Sequence, residues 1–267
     1  MYLLTVENRD CFFPFLIYYA NKASFDVLNR YKVVVLEPDF YTDVYAIHTT
    51  ALAYLSVGEV HPTRAYFKEL QKSDLLLKSH QFYDSHYLSL RSEIWQDYII
   101  EIVIPDFVEK GFKGVMLDTV DSLLLNHSSE DVINFINRLK WKFPELYFIQ
   151  NRGFAIMERT DVDAFLVEST LSSPDSSGCF TVIDFVEYKR VVHKEYFSVD
   201  YWDLEDQNGV AAIYERAHAL GYTPFVSSRC LTWLPPYAQK NEVESNFSNR
   251  AVKNMEDIFK KQSPTLL

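Results

Sequence analysis

Three carboxylates stand where a chain of this kind could use them: Asp118 and Asp121 in Gly111-Phe-Lys-Gly-Val-Met-Leu-Asp-Thr-Val-Asp121, and Glu168 in Ala164-Phe-Leu-Val-Glu168. Asp118 and Glu168 each close a short apolar run that reads as a buried parallel strand. An ionised carboxylate in such a place is costly unless it is hydrogen-bonded, paired or used. Two acids facing one another across a cleft suit glycoside hydrolysis, in which one protonates the leaving oxygen and the other attacks the anomeric carbon or activates water. The plainer reading makes one aspartate a helix cap and leaves the other solvated. Asp118-x-x-Asp121 also loosely matches a Mg²⁺ pair, a weak match at this spacing.

Other chemistries fail on the letters. No Gly-x-Ser-x-Gly elbow occurs, and the seven glycines include neither a phosphate loop nor a dinucleotide fingerprint. The seven histidines form no pair at helical metal spacing, and Cys11, Cys179 and Cys230 are scattered. Neither a metal nor a cofactor is expected. A formal charge of −11 argues against a nucleic-acid track and toward neutral or cationic ligands. The start of the chain lacks a basic leader region, and Pro14 breaks the Phe12 to Ala20 run. As it stands the chain therefore reads as cytoplasmic, without a membrane span; the alternative is a secreted or periplasmic protein whose leader has been removed. A monomer is expected.

The acids need elements to position them. Eight β runs are legible, at 15–19, 31–36, 52–57, 114–118, 146–150, 164–167, 196–199 and 224–226, with helices expected over 24–30, 43–50 (weakly), 95–109 with a kink at Pro105, 129–143, 154–159, 181–194 and 208–220. The stretch 61–93 lacks a strong period and is long enough to be a lid or binding loop. Eight strands alternating with helices predict an α/β fold, a (β/α)8 TIM barrel, as a single domain over 1–267 in which 240–267 is a C-terminal surface helix and tail. Polar residues collect at successive strand ends: Tyr19, Glu37, Glu59, Asp118, Asn151, Glu168, Asp200 and Ser227. In a barrel those ends form one rim, where active sites sit. Tyr18, Tyr54, Tyr201 and Trp202 are candidate platforms for sugar rings, although each is more often packing.

Leu52-Ala-Tyr-Leu-Ser-Val-Gly-Glu59, Leu90-Arg-Ser-Glu-Ile-Trp95, the 111–121 block, Asn151-Arg-Gly153, Val167-Glu-Ser169, Asp200-Tyr201 and Gly221-Tyr-Thr-Pro-Phe-Val226 occur in an order that resembles glycoside hydrolase family 114, the endo-α-1,4-polygalactosaminidase family. The resemblance spans about residues 15 to 230. It implies a barrel enzyme cutting α-1,4-linked galactosamine or N-acetylgalactosamine polymers, with Asp118 and Glu168 catalytic. Tyr54, Ser56, Glu59, Asp121, Asn151, Asp200 and Tyr201 would then line the sugar cleft, joined on the strand-end reading by Tyr18, Glu37 and Trp202. The partner implied is a polysaccharide or oligosaccharide. The alternative is a sugar-binding barrel that keeps the cleft without turnover.

Overall fold

The computed structural model describes residues 13–80, 84–91, 93–174, 180–182, 191 and 193–235. Eight parallel strands form one sheet in chain order: β1 (Phe13–Tyr18), β2 (Tyr31–Leu36), β3 (Thr50–Ser56), β4 (Gly114–Asp118), β5 (Tyr147–Asn151), β6 (Ala164–Glu168), β7 (Glu195–Tyr201) and β8 (Thr223–Ser227). Each pairs with the next along the chain. The sheet curls until its ends meet: the Tyr19 amide donates to the Leu231 carbonyl at 2.8 Å, and the Phe15 ring lies 6.5 Å from that of Phe225 and 4.6 Å from that of Phe197. This is the expected (β/α)8 barrel. Its strands were readable because both faces are covered, so their sequences run nearly continuous in Val, Leu, Ile and Phe.

The connecting segments depart from expectation in several places. Ser24 caps a short helix (Phe25–Leu28) as its position suggested, its Oγ accepting from the Val27 amide. No helix forms over 43–50, which is turn, bend and irregular chain as far as Thr50, where β3 begins. The helix expected over 95–109 begins at Glu93 and is not simply kinked at proline: a π segment (Ile99–Val103) lies between α-helical turns at Glu93–Tyr98 and Ile104–Glu109. Pro105 stands in the first turn after the π segment, where its missing N–H and its ring are tolerated. A helix over Val120–Asn126, not foreseen, follows β4 directly and precedes the expected one at Ser129–Lys142. Phe154–Ile156 makes one 3₁₀ turn where two helical turns were expected. Phe180–Val182 is a strand pairing with Ser172–Pro174, so the helix expected from Thr181 does not begin there; 183–190 lie outside the described residues, as does the expected tail helix at 240–267. Gln207–Ala219 is helical and ends before Gly221, whose φ of +74° is the left-handed conformation glycine adopts without strain.

The stretch after β3 is built rather than loose. Glu59–Val60, Leu76–Ser79 and His86–Leu88 form a small antiparallel sheet, with a helix (Phe67–Lys72) between the first two, standing beside the C-terminal ends of the barrel strands. Among the described residues no helix is long and apolar enough to cross a membrane.

Candidate active site

A cleft of about 700 Å³ opens at the C-terminal ends of the strands. Side chains alternate across a strand, so on each strand one parity faces the barrel axis. On β7, Val199 and Tyr201 line the cleft and Asp200 faces away; Trp202, just past the strand, is not in the lining. On β1, Ile17 lines it and is followed two residues on by Tyr19. Tyr18, one residue out of step, is 1% exposed in the core and does not line the cleft.

Asp118, Asn151 and Glu168 end three consecutive strands, β4, β5 and β6, and all three meet. Asn151 Nδ2 donates to Asp118 Oδ1 at 2.7 Å and to Glu168 Oε2 at 2.9 Å. The outer oxygens have tyrosine partners: Tyr54 donates to Asp118 Oδ2 at 3.0 Å, and Tyr201 donates to Glu168 Oε1 at 2.5 Å. Each of the four carboxylate oxygens thus has a donor. Burial pushes the Asp118 carboxyl up to about 6, with the Glu168 charge pushing the same way and the bonds from Asn151, Thr119 and Tyr54 partly offsetting both. The Tyr54 and Tyr19 hydroxyls are raised well above their ordinary range, first by burial, so they remain neutral donors.

A common backbone device stands behind all three residues. Thr119, Arg152 and Ser169, each the residue immediately after one of them, adopt left-handed φ values of 61°, 56° and 51°. Such a conformation is strained for a residue with a Cβ, and at three consecutive strand ends it turns the chain sharply off the rim. Thr119 is also tied down by its side chain: it accepts from the Gly58 amide at 2.8 Å and lies 2.9 Å from Ser56 Oγ. The backbones of Gly58 and Thr119 are so close that a Cβ at Gly58 would sit 2.3 Å from the Thr119 carbonyl oxygen, which is why glycine stands there.

The remaining expected site residues divide. Tyr54, Ser56, Glu59, Asn151 and Tyr201 line the cleft. Ser56 is engaged with the Glu59 carbonyl at 2.7 Å, and the buried Glu59 carboxylate accepts from Ser85 at 2.6 Å and Ser122 at 2.5 Å. Asp121 instead turns to Arg152 Nε at 2.7 Å and the Gly153 amide at 2.9 Å, so it does not join Asp118 as a second metal ligand. Among the described residues no three His, Cys, Asp or Glu side chains converge as a metal site. Asp200 is fully buried behind the cleft, accepting from the Leu171 and Ser172 amides at 2.8 and 2.9 Å and thereby pinning the segment that follows Glu168. Trp202 donates to Asp206, next to the start of a helix. Glu37 is held bidentately by Arg64, at 2.6 and 2.8 Å.

Several cleft residues were not anticipated. Arg64 comes from the segment after β3 and places its guanidinium 5.7 Å from the Tyr54 ring, whose other neighbour is Tyr19 at 4.7 Å. Nothing local in the sequence marks it. Arg152 stood inside the Asn-Arg-Gly block and was recoverable, while Tyr19, expected at the rim as a strand-end residue, lines the cleft.

The sequence profile of glycoside-hydrolase family GH114 matches residues 17–246. The chain belongs to that family. Among solved structures it is similar to the glycoside hydrolase domain of PelA from Pseudomonas aeruginosa (23% identity over 83% of this chain and 96% of that one, TM-score 0.70). It is also similar to Aspergillus fumigatus Ega3, solved with galactosamine (15% identity, 85% and 95%, TM-score 0.62). A noncanonic maltogenic α-amylase, AmyB of Thermotoga neapolitana, shares the fold at 10% identity (94% and 76%, TM-score 0.54). No curated protein matches. As a GH114 member the chain is a glycoside hydrolase with a polysaccharide substrate.

Proposed function

We propose that this GH114 chain cleaves α-1,4-linked galactosamine or N-acetylgalactosamine polymers by a covalent, configuration-retaining route, with Asp118 as nucleophile and Glu168 as acid and then base. The observation that carries the route is the shared Asn151 nitrogen. Bonds of 2.7 and 2.9 Å to one atom cap the separation of Asp118 Oδ1 and Glu168 Oε2 at about 5.6 Å, the two laid end to end. Retaining pairs stand ~5–5.5 Å apart, whereas a pair that must admit a water between it and the sugar stands ~6.5–9.5 Å apart.

In the first step an Asp118 oxygen attacks the anomeric carbon as the glycosidic bond breaks, and the Glu168 proton passes to the departing oxygen. In the second, ionised Glu168 takes a proton from water, whose oxygen displaces Asp118 and restores the α configuration. Tyrosine and Asn151 donors serve both carboxylates alike; the Thr119 amide adds a further bond that favours ionised Asp118, and the longer Glu168 reaches toward the leaving oxygen. Galactosamine bound to Ega3 supports the sugar class.

The test is incubation with purified galactosamine polymers of graded acetylation, with mass spectrometry of the released oligosaccharides and proton NMR of the first-formed product. The expected result is oligosaccharide release with the α-anomer appearing first. Initial β-anomer would overturn the retaining assignment. Binding without release would return the chain to the sugar-binding alternative.

A further inference from the structure

Asn151 is 4% exposed, its Nδ2 bonds both carboxylates, and its Oδ1 is buried without a partner. An amide placed for packing or stability ordinarily satisfies its carbonyl as well, because an orphaned buried acceptor costs its desolvation. Here the carbonyl goes unmet while both N–H groups are spent on the pair. Turning the amide over would set Oδ1 against two carboxylates, so the pair's own charge fixes its orientation. The tyrosines hold the carboxylates one each: Tyr54 donates to Asp118, and Tyr201 donates to Glu168. Topology explains why the bridge comes from β5: it is the strand between β4 and β6, and Asn151 is its last residue.

Resting on the reading that Asp118 and Glu168 are nucleophile and acid/base, we propose that Asn151 is the positioning residue that sets their spacing and so commits the enzyme to the covalent route. Two ionised carboxylates this close repel one another, and the shared amide is what each is attracted to in common. Without it they would be free to part toward the wider spacing that a direct water attack needs. The same amide serves both steps: one N–H steadies Asp118 as it attacks, and the other stays on Glu168 when it has lost its proton and must act as base.

The pH dependence of turnover separates this role from a merely structural one. Facing the pair are Tyr19, Tyr54 and Tyr201, with the Asp200 carboxyl, itself pushed by burial up to about 6, close enough behind Glu168 to feel its charge; Arg152 donates to the Glu168 carbonyl at 3.2 Å and is itself paired with Asp121. Burial holds the Tyr19 and Tyr54 hydroxyls well above their ordinary range, so the acid limb of kcat/KM reports the pair together with Asp200, and a move of the limb on changing Asn151 alone reports the pair. In the full-length chain, Asn151→Ala should lower kcat at least ~10-fold with a smaller change in KM, and should move the acid limb upward, because Asp118 loses a bond that favours its ionised form. Asn151→Asp keeps the shape of the side chain and so serves if the alanine variant does not fold. By setting a third carboxylate between two others, it should lose more activity than alanine at pH 7. Asn151→Gln, with the amide displaced by one methylene, should recover part of the rate. Asp118→Asn and Glu168→Gln are measured alongside on the same polymer. If they lose turnover while the Asn151 variants keep the wild-type rate and acid limb, the positioning role is overturned and the hydrolase reading stands. If they keep turnover, the reading beneath it fails instead.

Discussion

Asp118 titrates near 6 in the fold against 3.8 for the ordinary carboxyl, chiefly through burial and secondarily through Glu168. Because the folded value is the higher one, the stability this group contributes is fully present below pH 3.8, diminishes as pH rises through about 6, and is gone at neutrality. Asp118→Asn should therefore raise the melting temperature at pH 7, by an amount corresponding to on the order of 1–3 kcal/mol, and do so much less at pH 4. Calorimetry at the two pH values checks this. The same variant should lose at least ~100-fold in turnover, as should Glu168→Gln, since removal of a positioned nucleophile or acid typically costs that much. In the wild type, kcat/KM should fall as pH drops through about 6, because protonated Asp118 cannot attack. A rate that is flat from pH 7 to 5 would remove Asp118 from the nucleophile role.

At the scale of elements, the rim depends on short connections that hold strand ends still. Asp200 fastens the segment behind Glu168 through the Leu171 and Ser172 amides, and burial pushes its carboxyl up to about 6. Asp200→Ala strands two buried N–H groups and should cost about 2–5 kcal/mol in denaturant unfolding, with a fall in kcat as Glu168 loses its footing. Asp200→Asn keeps an acceptor in place and removes a carboxyl whose ionisation burial disfavours, so it should be no less stable than wild type at pH 7. Equal losses in the two variants would mean that the charge, not the acceptor, is what matters there. How much of this could be read from the chain follows from the physics of each element. Buried parallel strands announce themselves, and with them the positions of Asp118, Asn151 and Glu168. Tyr18, Asp200 and Trp202 were misplaced as cleft residues because a slip of one residue moves a side chain to the opposite face. The left-handed Thr119, Arg152 and Ser169 carry no sequence mark, since the surrounding fold imposes their conformation rather than any glycine. The small sheet spanning 59–88 was hidden because its strands are two to four residues long and depend on contacts distant in sequence.

Over the whole molecule the negative balance is also felt at the cleft. Among the described lining residues the acids are Glu59, Asp118 and Glu168; of the three arginines, Arg64 is taken up by Glu37 and Asp39 and Arg152 by Asp121, and Arg229 stands at the cleft beside them. Partly deacetylated, cationic polymer should therefore be preferred over the fully acetylated form, and the preference should weaken as salt rises, since exposed charge is screened over ~10 Å at 0.1 M. Measuring kcat/KM for both polymers at two ionic strengths decides it. A salt-independent preference, or none, would assign the acidity to solubility alone.

The join between β1 and β8 carries no strand ladder; the described backbone link across it is Tyr19 to Leu231, one residue past the end of β1 and four past the end of β8. Every other neighbouring pair in the barrel shares a run of bonds that must break together. Opening at this seam should thus be the least cooperative motion of the wall, and in native-state hydrogen exchange the Tyr19 amide should exchange well ahead of those inside β4 and β5. Tyr19 packs its ring at a tilt against Tyr54, which in turn holds Asp118. Fluctuation of the barrel's weakest joint would therefore reach the nucleophile through two aromatic rings, and a sugar chain lying across Tyr19 would quiet it.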